Sequence, residues 1–304
     1  MRITILKSSI WITLILLTKF VNGQGCSDAG FCTINSFKPS NTDSVAETKN
    51  QFKVGFTYGV ADYSISIFGN YLEYNRKLND KFALDAKLTS LAQSGNGISE
   101  IGLSDVYLNV SYKIIEKLKL SIGSKAPLAN GNKMKDDLSL PMDYQSSLGT
   151  FDVIFGIGFE IKKIQFVTAI QQPFTQNKNE FLSETYPINS KLRNFQSTNK
   201  FKRSGDVLLR MSYPIAIGSK FKITPSILPI YHLTEDKYTD ALSVEKTIAG
   251  SQGLTLNGNL FFDYEVNSKN ALQLNVGAPF IVRDARPDGL TRSFIANIEY
   301  RVKF

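Results

Sequence analysis

The rhythm of its links constrains this chain more than any single residue does. From Gln51 onward, segments of alternating apolar and polar residues follow one another to the end. Every second link between them is short: Lys77–Lys81, Ile115–Lys117, Lys162–Lys163, Gly218–Lys220 and Asn267–Lys269. The links in between are mostly longer, at Gln93–Leu103, Leu128–Thr150, Thr175–Gly205, Glu235–Gly253 and Arg283–Thr291. Successive side chains of a strand point to opposite faces, so each segment presents one apolar and one polar face. A soluble sandwich has no reason to alternate tight turns with long loops. A barrel crossing a membrane does, with short turns on one side and long loops on the other. The pattern predicts an all-β chain, a transmembrane up-and-down antiparallel β-barrel of about twelve strands over residues 51–304.

Individual segments sharpen the reading. The first sets Phe52, Val54, Phe56 and Tyr58 against Lys53, Gly55 and Thr57. The second, from about Tyr63 to Arg76, has a mixed phase that predicts a bulge near Gly69. The segment from Phe221 to Leu233 carries Pro225 and Pro229 on its apolar phase, which predicts a bulge or distortion, because proline cannot donate to a ladder. The last alternates Phe294, Ala296, Ile298, Tyr300, Val302 and Phe304 against Ile295, Asn297, Glu299, Arg301 and Lys303. Lipid cannot satisfy an open sheet edge, so the first and last strands are expected to pair. An amphipathic final strand ending in Phe resembles the signal by which bacterial outer-membrane barrels are recognised by their insertion machinery. That resemblance makes Tyr300 and Phe304 candidate assembly-signal residues, and makes outer-membrane lipid and the insertion machinery expected partners.

Residues 1–23 read as a secretory signal peptide, with basic Arg2 and Lys7, an apolar run from Ile10 to Leu17, and small residues toward Gly23. The run is shorter than the roughly 20 apolar residues a membrane helix needs. Export leaves a soluble chain or a barrel open; together with the barrel pattern it predicts the Gram-negative cell outer membrane as the destination. The formal charge of +8 falls to about +5 once Arg2, Lys7 and Lys19 leave with the leader. Basic and acidic residues are interleaved without a basic stripe, which gives no support to nucleic-acid binding. Residues 24–50 form a polar segment ahead of the sheet, readable either as a hatch folded into the barrel mouth or as a loose periplasmic tail. Its Cys26 and Cys32 are expected to close a small disulfide loop in an oxidising compartment.

On the polar phase the lumen-lining candidates are Lys87, Asp105, Lys113, Asp152, Arg210, Lys222, His232, Asp263, Glu265 and Arg301. Both signs are present, so no strong ion selectivity is indicated. Lys222, Arg210 and Lys303 are expected to pair with the carboxylates of Asp263 and Glu265. No catalytic, cofactor-binding or metal-binding residues are expected. Two thiols and one histidine cannot build a closed zinc site, and Gly95-Asn-Gly97 is a loop signal. A serine–histidine hydrolase on a barrel is the enzymatic rival. Its serine and histidine must meet, whereas Ser226 lies roughly 20 Å along the strand from His232.

One stretch carries a family likeness. Gly102-Leu-Ser-Asp105 leads into Val106-Tyr-Leu-Asn-Val-Ser-Tyr112-Lys, and Ser124-Lys-Ala-Pro127-Leu-Ala-Asn-Gly131 precedes Leu140-Pro141 and Ser147-Leu-Gly149-Thr-Phe-Asp152. These resemble the glycine–aspartate strand starts and proline–glycine loop of the meta-pathway of phenol degradation proteins, a family of bacterial outer-membrane barrels held to be transporters. The match covers about Gly102 to Gln172, with Ala126 and Ala129 departing from the usual spacing. The resemblance implies a porin-like channel for passive uptake or efflux of small solutes, hydrophobic ones included. Two alternatives stay open: a structural, adhesive or assembly barrel that conducts nothing, and the barrel hydrolase.

Overall fold

The computed structural model describes residues 34–39, 49–289 and 293–304. The leader and the Cys26–Cys32 pair lie outside the described residues. Twelve antiparallel strands close on themselves: β1 (Asn50–Val60), β2 (Ser66–Lys77), β3 (Phe82–Gly95), β4 (Ile98–Ile115), β5 (Leu118–Pro127), β6 (Asp152–Ile161), β7 (Ile164–Pro173), β8 (Asp206–Ser212, continued by Ile215–Ile217), β9 (Phe221–His232), β10 (Gly253–Glu265), β11 (Asn270–Ile281) and β12 (Phe294–Lys303). Each pairs with its neighbours in sequence, and β1 pairs with β12 from Gln51↔Lys303 to Val60↔Phe294. Every strand therefore has two partners and no edge is left open.

The alternation seen in the sequence becomes an inside and an outside. In β1, Lys53 is buried while Phe56 is 60% exposed. In β12, Glu299 is buried while Ile298 is 51% exposed. A soluble protein rarely leaves a contiguous apolar surface of this kind uncovered, and among the described residues no helix is long and apolar enough to cross a membrane. Outward aromatic pairs sit near the short turns, with Phe82 against Tyr112 and Phe159 against Phe166, both at 4.9 Å between ring centres. Such pairs form the kind of girdle that membrane barrels place at the lipid–water boundary.

Several sequence expectations need correction. Gly69 carries no bulge: β2 stays in register with both neighbours throughout. Its mixed phase arises because the inward face bears Ile67 and Tyr71 while the outward face bears Asn70. Tyr63 belongs to the turn before β2, with φ +54. The link expected at Gln93–Leu103 is a two-residue turn, Asn96–Gly97, because β3 and β4 run on past the membrane-sized part of their ladder. The prolines of β9 introduce no register shift against β10. Facing β8, the ladder lacks pairs at Leu209 and Arg210, opposite Pro229, where an N–H is missing. The register shifts that do occur lie at Leu88/Ser90, Lys113/Ile115 and Leu256/Asn257.

The long loops fold over one mouth of the barrel. Two short hairpins, Met134–Lys135 with Leu138–Ser139 and Lys237–Thr239 with Glu245–Thr247, stiffen them. Leu140, Tyr144, Phe181, Leu192 and Phe195 pack with Ile65, Ile67 and Ile98 from the barrel rim. Met142, Leu148, Phe201 and Ile248 form a second cluster. The loops thus bury their own apolar residues, which turns them into a cap.

Candidate functional site in the barrel interior

At the short-turn end, the inward side chains and residues 34–39 form one polar network. Ile34–Pro39 lies inside the barrel, with Asn35–Phe37 in a single 3-10 turn. Ser36 Oγ donates to Asp85 Oδ2 at 2.5 Å, and Asn109 donates to Ser36 at 2.8 Å. Lys53 Nζ donates to Asn35 Oδ1 at 2.6 Å and pairs with Glu73 at 3.1 Å. Lys38 pairs with Glu299 at 2.6 Å, and Tyr71 donates to the same carboxylate. Arg301 bridges Glu299 at 2.5 Å and Asp263 at 3.0 Å. A buried charge is costly unless paired, and here each carboxylate named has at least one cation or hydrogen-bond donor.

Above this network the inner wall turns apolar. Ile34 and Phe37 pack on Tyr107, Ile154, Val167, Leu208, Leu228 and Ile230. Gly156 is what lets them in, since a Cβ there would overlap the Phe37 ring. Nearby, Arg210 lies over the Phe261 ring at 5.5 Å from its centre.

A second polar level lies under the loop cap, and the motif stretch supplies much of it. Ser147 Oγ donates to Asp105 Oδ1 at 2.6 Å, while Lys125 pairs with Asp152 at 2.8 Å. Thr150 donates to Asp152 Oδ1 at 2.6 Å, and Gln171 donates to its other oxygen. Gly149 takes φ +69, with Asn130 O crowding the place of a Cβ, so only glycine fits this corner. Arg203 from the loop pairs with Asp206, and Arg283 reaches Asp288 at 3.1 Å. His232 has both ring nitrogens engaged, Nδ1 with Asp206 at 2.7 Å and Nε2 with Asp236 at 2.8 Å. The Ser226 hydroxyl meets Ser212 instead, at 3.3 Å. These groups tie loops to strand ends.

The structure therefore divides the sequence-derived residues between levels. Lys87, Asp263 and Arg301 join the lower network, while Asp105, Asp152 and His232 join the upper one. Arg210 lies between them. Lys222 sits opposite Asp263 in the β9–β10 ladder. Asp263 takes Arg301 as its ion-pair partner, and Glu265 lies 3.6 Å from Lys303. Lys113 reaches the turn residue Glu116 at 2.8 Å. Tyr300 and Phe304 face outward, Tyr300 donating to Asn270 at 2.6 Å and the Phe304 backbone bonding Asn50. Sequence reasoning missed Lys38, Tyr71 and Glu73. Reading β2 on the phase Ile67, Gly69, Tyr71, Glu73, Asn75 would have found the last two.

The cap holds a titrating group outside the barrel wall. Burial pushes the Asp143 carboxyl up to about 7; Asp62 and Asp288 push the same way, against Arg286. The folded loop thus holds this proton where an unfolded chain has lost it. Its contribution to the cap is present at acid pH and lost as pH rises through about 7. Amide exchange over residues 128–150, corrected for intrinsic chemistry, should be faster at pH 8 than at pH 5. Asp143→Asn should flatten that dependence; an Asn variant with the same pH profile would assign it elsewhere.

No family model and no curated protein matches this sequence. Among solved structures, the chain is similar to the COG4313 outer membrane channel from Pseudomonas putida F1, with a TM-score of 0.58 and 12% identity over 88% of this chain and 99% of that one. It also matches a NanC porin structure (TM-score 0.47, 10% identity, 83% of this chain and 98% of that one). A third match is the CymD monoaromatic hydrocarbon channel (TM-score 0.44, 8% identity, 86% and 90%). The first likeness is one of fold; the other two are weaker still.

Proposed function

We propose that this chain is an outer-membrane channel through which small solutes pass passively, and that residues 34–39 narrow its lumen as part of a hatch formed by residues 24–50. The observation that carries the reading is a closed barrel, apolar outside and charged inside, with a piece of its own N-terminal segment held across the lumen. The Pseudomonas channel, whose fold this chain shares, supports it. Membership of the meta-pathway of phenol degradation family belongs to the same proposal; its support is the Gly102–Asp152 stretch, whose Asp105, Ser147, Gly149 and Asp152 meet beneath the cap. Cleavage after Gly23, a Cys26–Cys32 disulfide, and recognition of Tyr300 and Phe304 by the insertion machinery complete it. Catalysis has no part in it.

Solute flux into liposomes carrying the purified protein tests the channel. Entry of small solutes above protein-free controls is expected; a sealed membrane with correctly folded barrel would leave the structural or adhesive reading, which the compact loop cap favours. Unboiled and boiled protein should also migrate differently in a detergent gel. Ile298→Arg, at mid-height on the outer face, should destabilise the inserted barrel by about 2–4 kcal/mol. A much smaller loss in a lipid-bilayer unfolding titration would place that face away from lipid.

A further inference from the structure

The lumen holds a cavity at its short-turn end whose chemistry the channel reading does not explain. It encloses about 440 Å³, within the roughly 300–1,000 Å³ of small-molecule pockets. Lys38, Lys113, Lys117, Lys119, Arg301 and Lys303 line it, against the carboxylates of Glu116 and Glu160. Most of these cations are occupied. Lys38 and Arg301 meet Glu299, Lys303 lies 3.6 Å from Glu265, and Lys113 pairs with Glu116 out in an exposed turn.

Lys119 differs. Among the described residues no carboxylate lies within ion-pair distance of it. The carboxylate that acts on it from farther off, Asp85, is already bonded by Ser36 at 2.5 Å and Asn75 at 2.8 Å. Across the β4–β5 ladder Lys119 stands directly opposite Lys113, and like charges so placed repel. Among the described residues Lys113 has Glu116 as its ion-pair partner, at the surface, and such pairs contribute little. Two inward lysines thus stand side by side on the cavity wall, to which Ser36, Asn35 and Gln165 add neutral hydrogen-bonding groups. A bound anion would relieve the repulsion and take donors from both.

We infer that this cavity is a binding site for a small organic anion bearing one or two carboxylates, held chiefly by Lys119 and Lys113. The inference rests on the channel reading, because the site then lies on the path of the solute. Calorimetric titration of succinate into the full mature chain in neutral detergent tests it, with inorganic phosphate and putrescine as parallel probes.

Succinate should bind, and putrescine should not. Lys119→Gln should weaken succinate by about tenfold or more, as expected for loss of a charged hydrogen-bond donor. Lys119→Arg should retain most of the affinity, and Lys191→Gln, exposed in the loop cap at the other mouth, should match the parent. A heat-shifted gel band for each variant shows that it is folded. Equal succinate binding by the parent and Lys119→Gln, or preference for putrescine, overturns the site. Binding of phosphate without succinate overturns the organic class. Succinate binding without liposome flux sinks the channel and leaves the site; flux without succinate binding sinks the site alone.

Discussion

Deleting Ile34–Pro39 should raise single-channel conductance several-fold and leave the barrel folded. The segment occupies the lumen through three kinds of contact: the Phe37 ring on an apolar wall, Ser36 on Asp85, and Lys38 on Glu299. The barrel keeps its own partners when the segment leaves. Glu299 retains Arg301 and Tyr71, Asp85 retains Asn75 and Asn109, and Glu73 retains Lys53. A twelve-stranded wall is wider than the eight-stranded one that side chains fill, so space opens rather than collapses. Gly156→Val approaches the same point from the wall. Its Cβ would overlap the Phe37 ring, which should displace the segment without shortening the chain. Traces unchanged by both variants would show that Ile34–Pro39 is not what narrows the pore.

Replacing Glu299 by Ala should cost far more than replacing Lys38. Glu299 is fully buried and accepts from Lys38, Arg301 and Tyr71 together. Its loss leaves Lys38 buried without a carboxylate and Arg301 with Asp263 alone, and removing one partner of a buried ion pair costs roughly 3–5 kcal/mol. Lys38→Met leaves Glu299 with Arg301 at 2.5 Å, so the carboxylate stays paired and the cost should be markedly smaller. Glu299 also belongs to the strand that closes the barrel against β1, beside Gly55 in the ladder. Its variant should therefore unfold at lower urea with a single cooperative transition. Equal urea midpoints for the two variants would mean that Lys38, not Arg301, carries the stabilisation of this carboxylate.

The strands were readable because membrane and lumen impose opposite demands on neighbouring residues. Phe52, Val54, Phe56 and Tyr58 had to face lipid, and Lys53 could only face inward, which is where β1 puts them. The second strand misled for the same reason. The loop cap brings apolar groups to the inward Ile67, and the inward Tyr71 ring carries its hydroxyl to Lys38 and Glu299, so a rule built on charged interiors reads both as a break in phase. The prolines of β9 were overestimated: their missing N–H groups cost pairs toward β8, yet the side-chain phase and the register toward β10 survive.

By itself the sequence determined that the chain is a strand-built barrel with tight turns at one mouth and long loops at the other. Period-two alternation and link length are local properties, and a closed sheet follows from them once open edges are forbidden in lipid. Only the tertiary structure decided which charges meet. Lys38 finds Glu299 across most of the chain, and Asp105 finds Ser147 from the cap. Those pairings depend on which strands become neighbours on closure and how far each is staggered. Residues distant in sequence acquire a common height in the lumen only after the ring is complete.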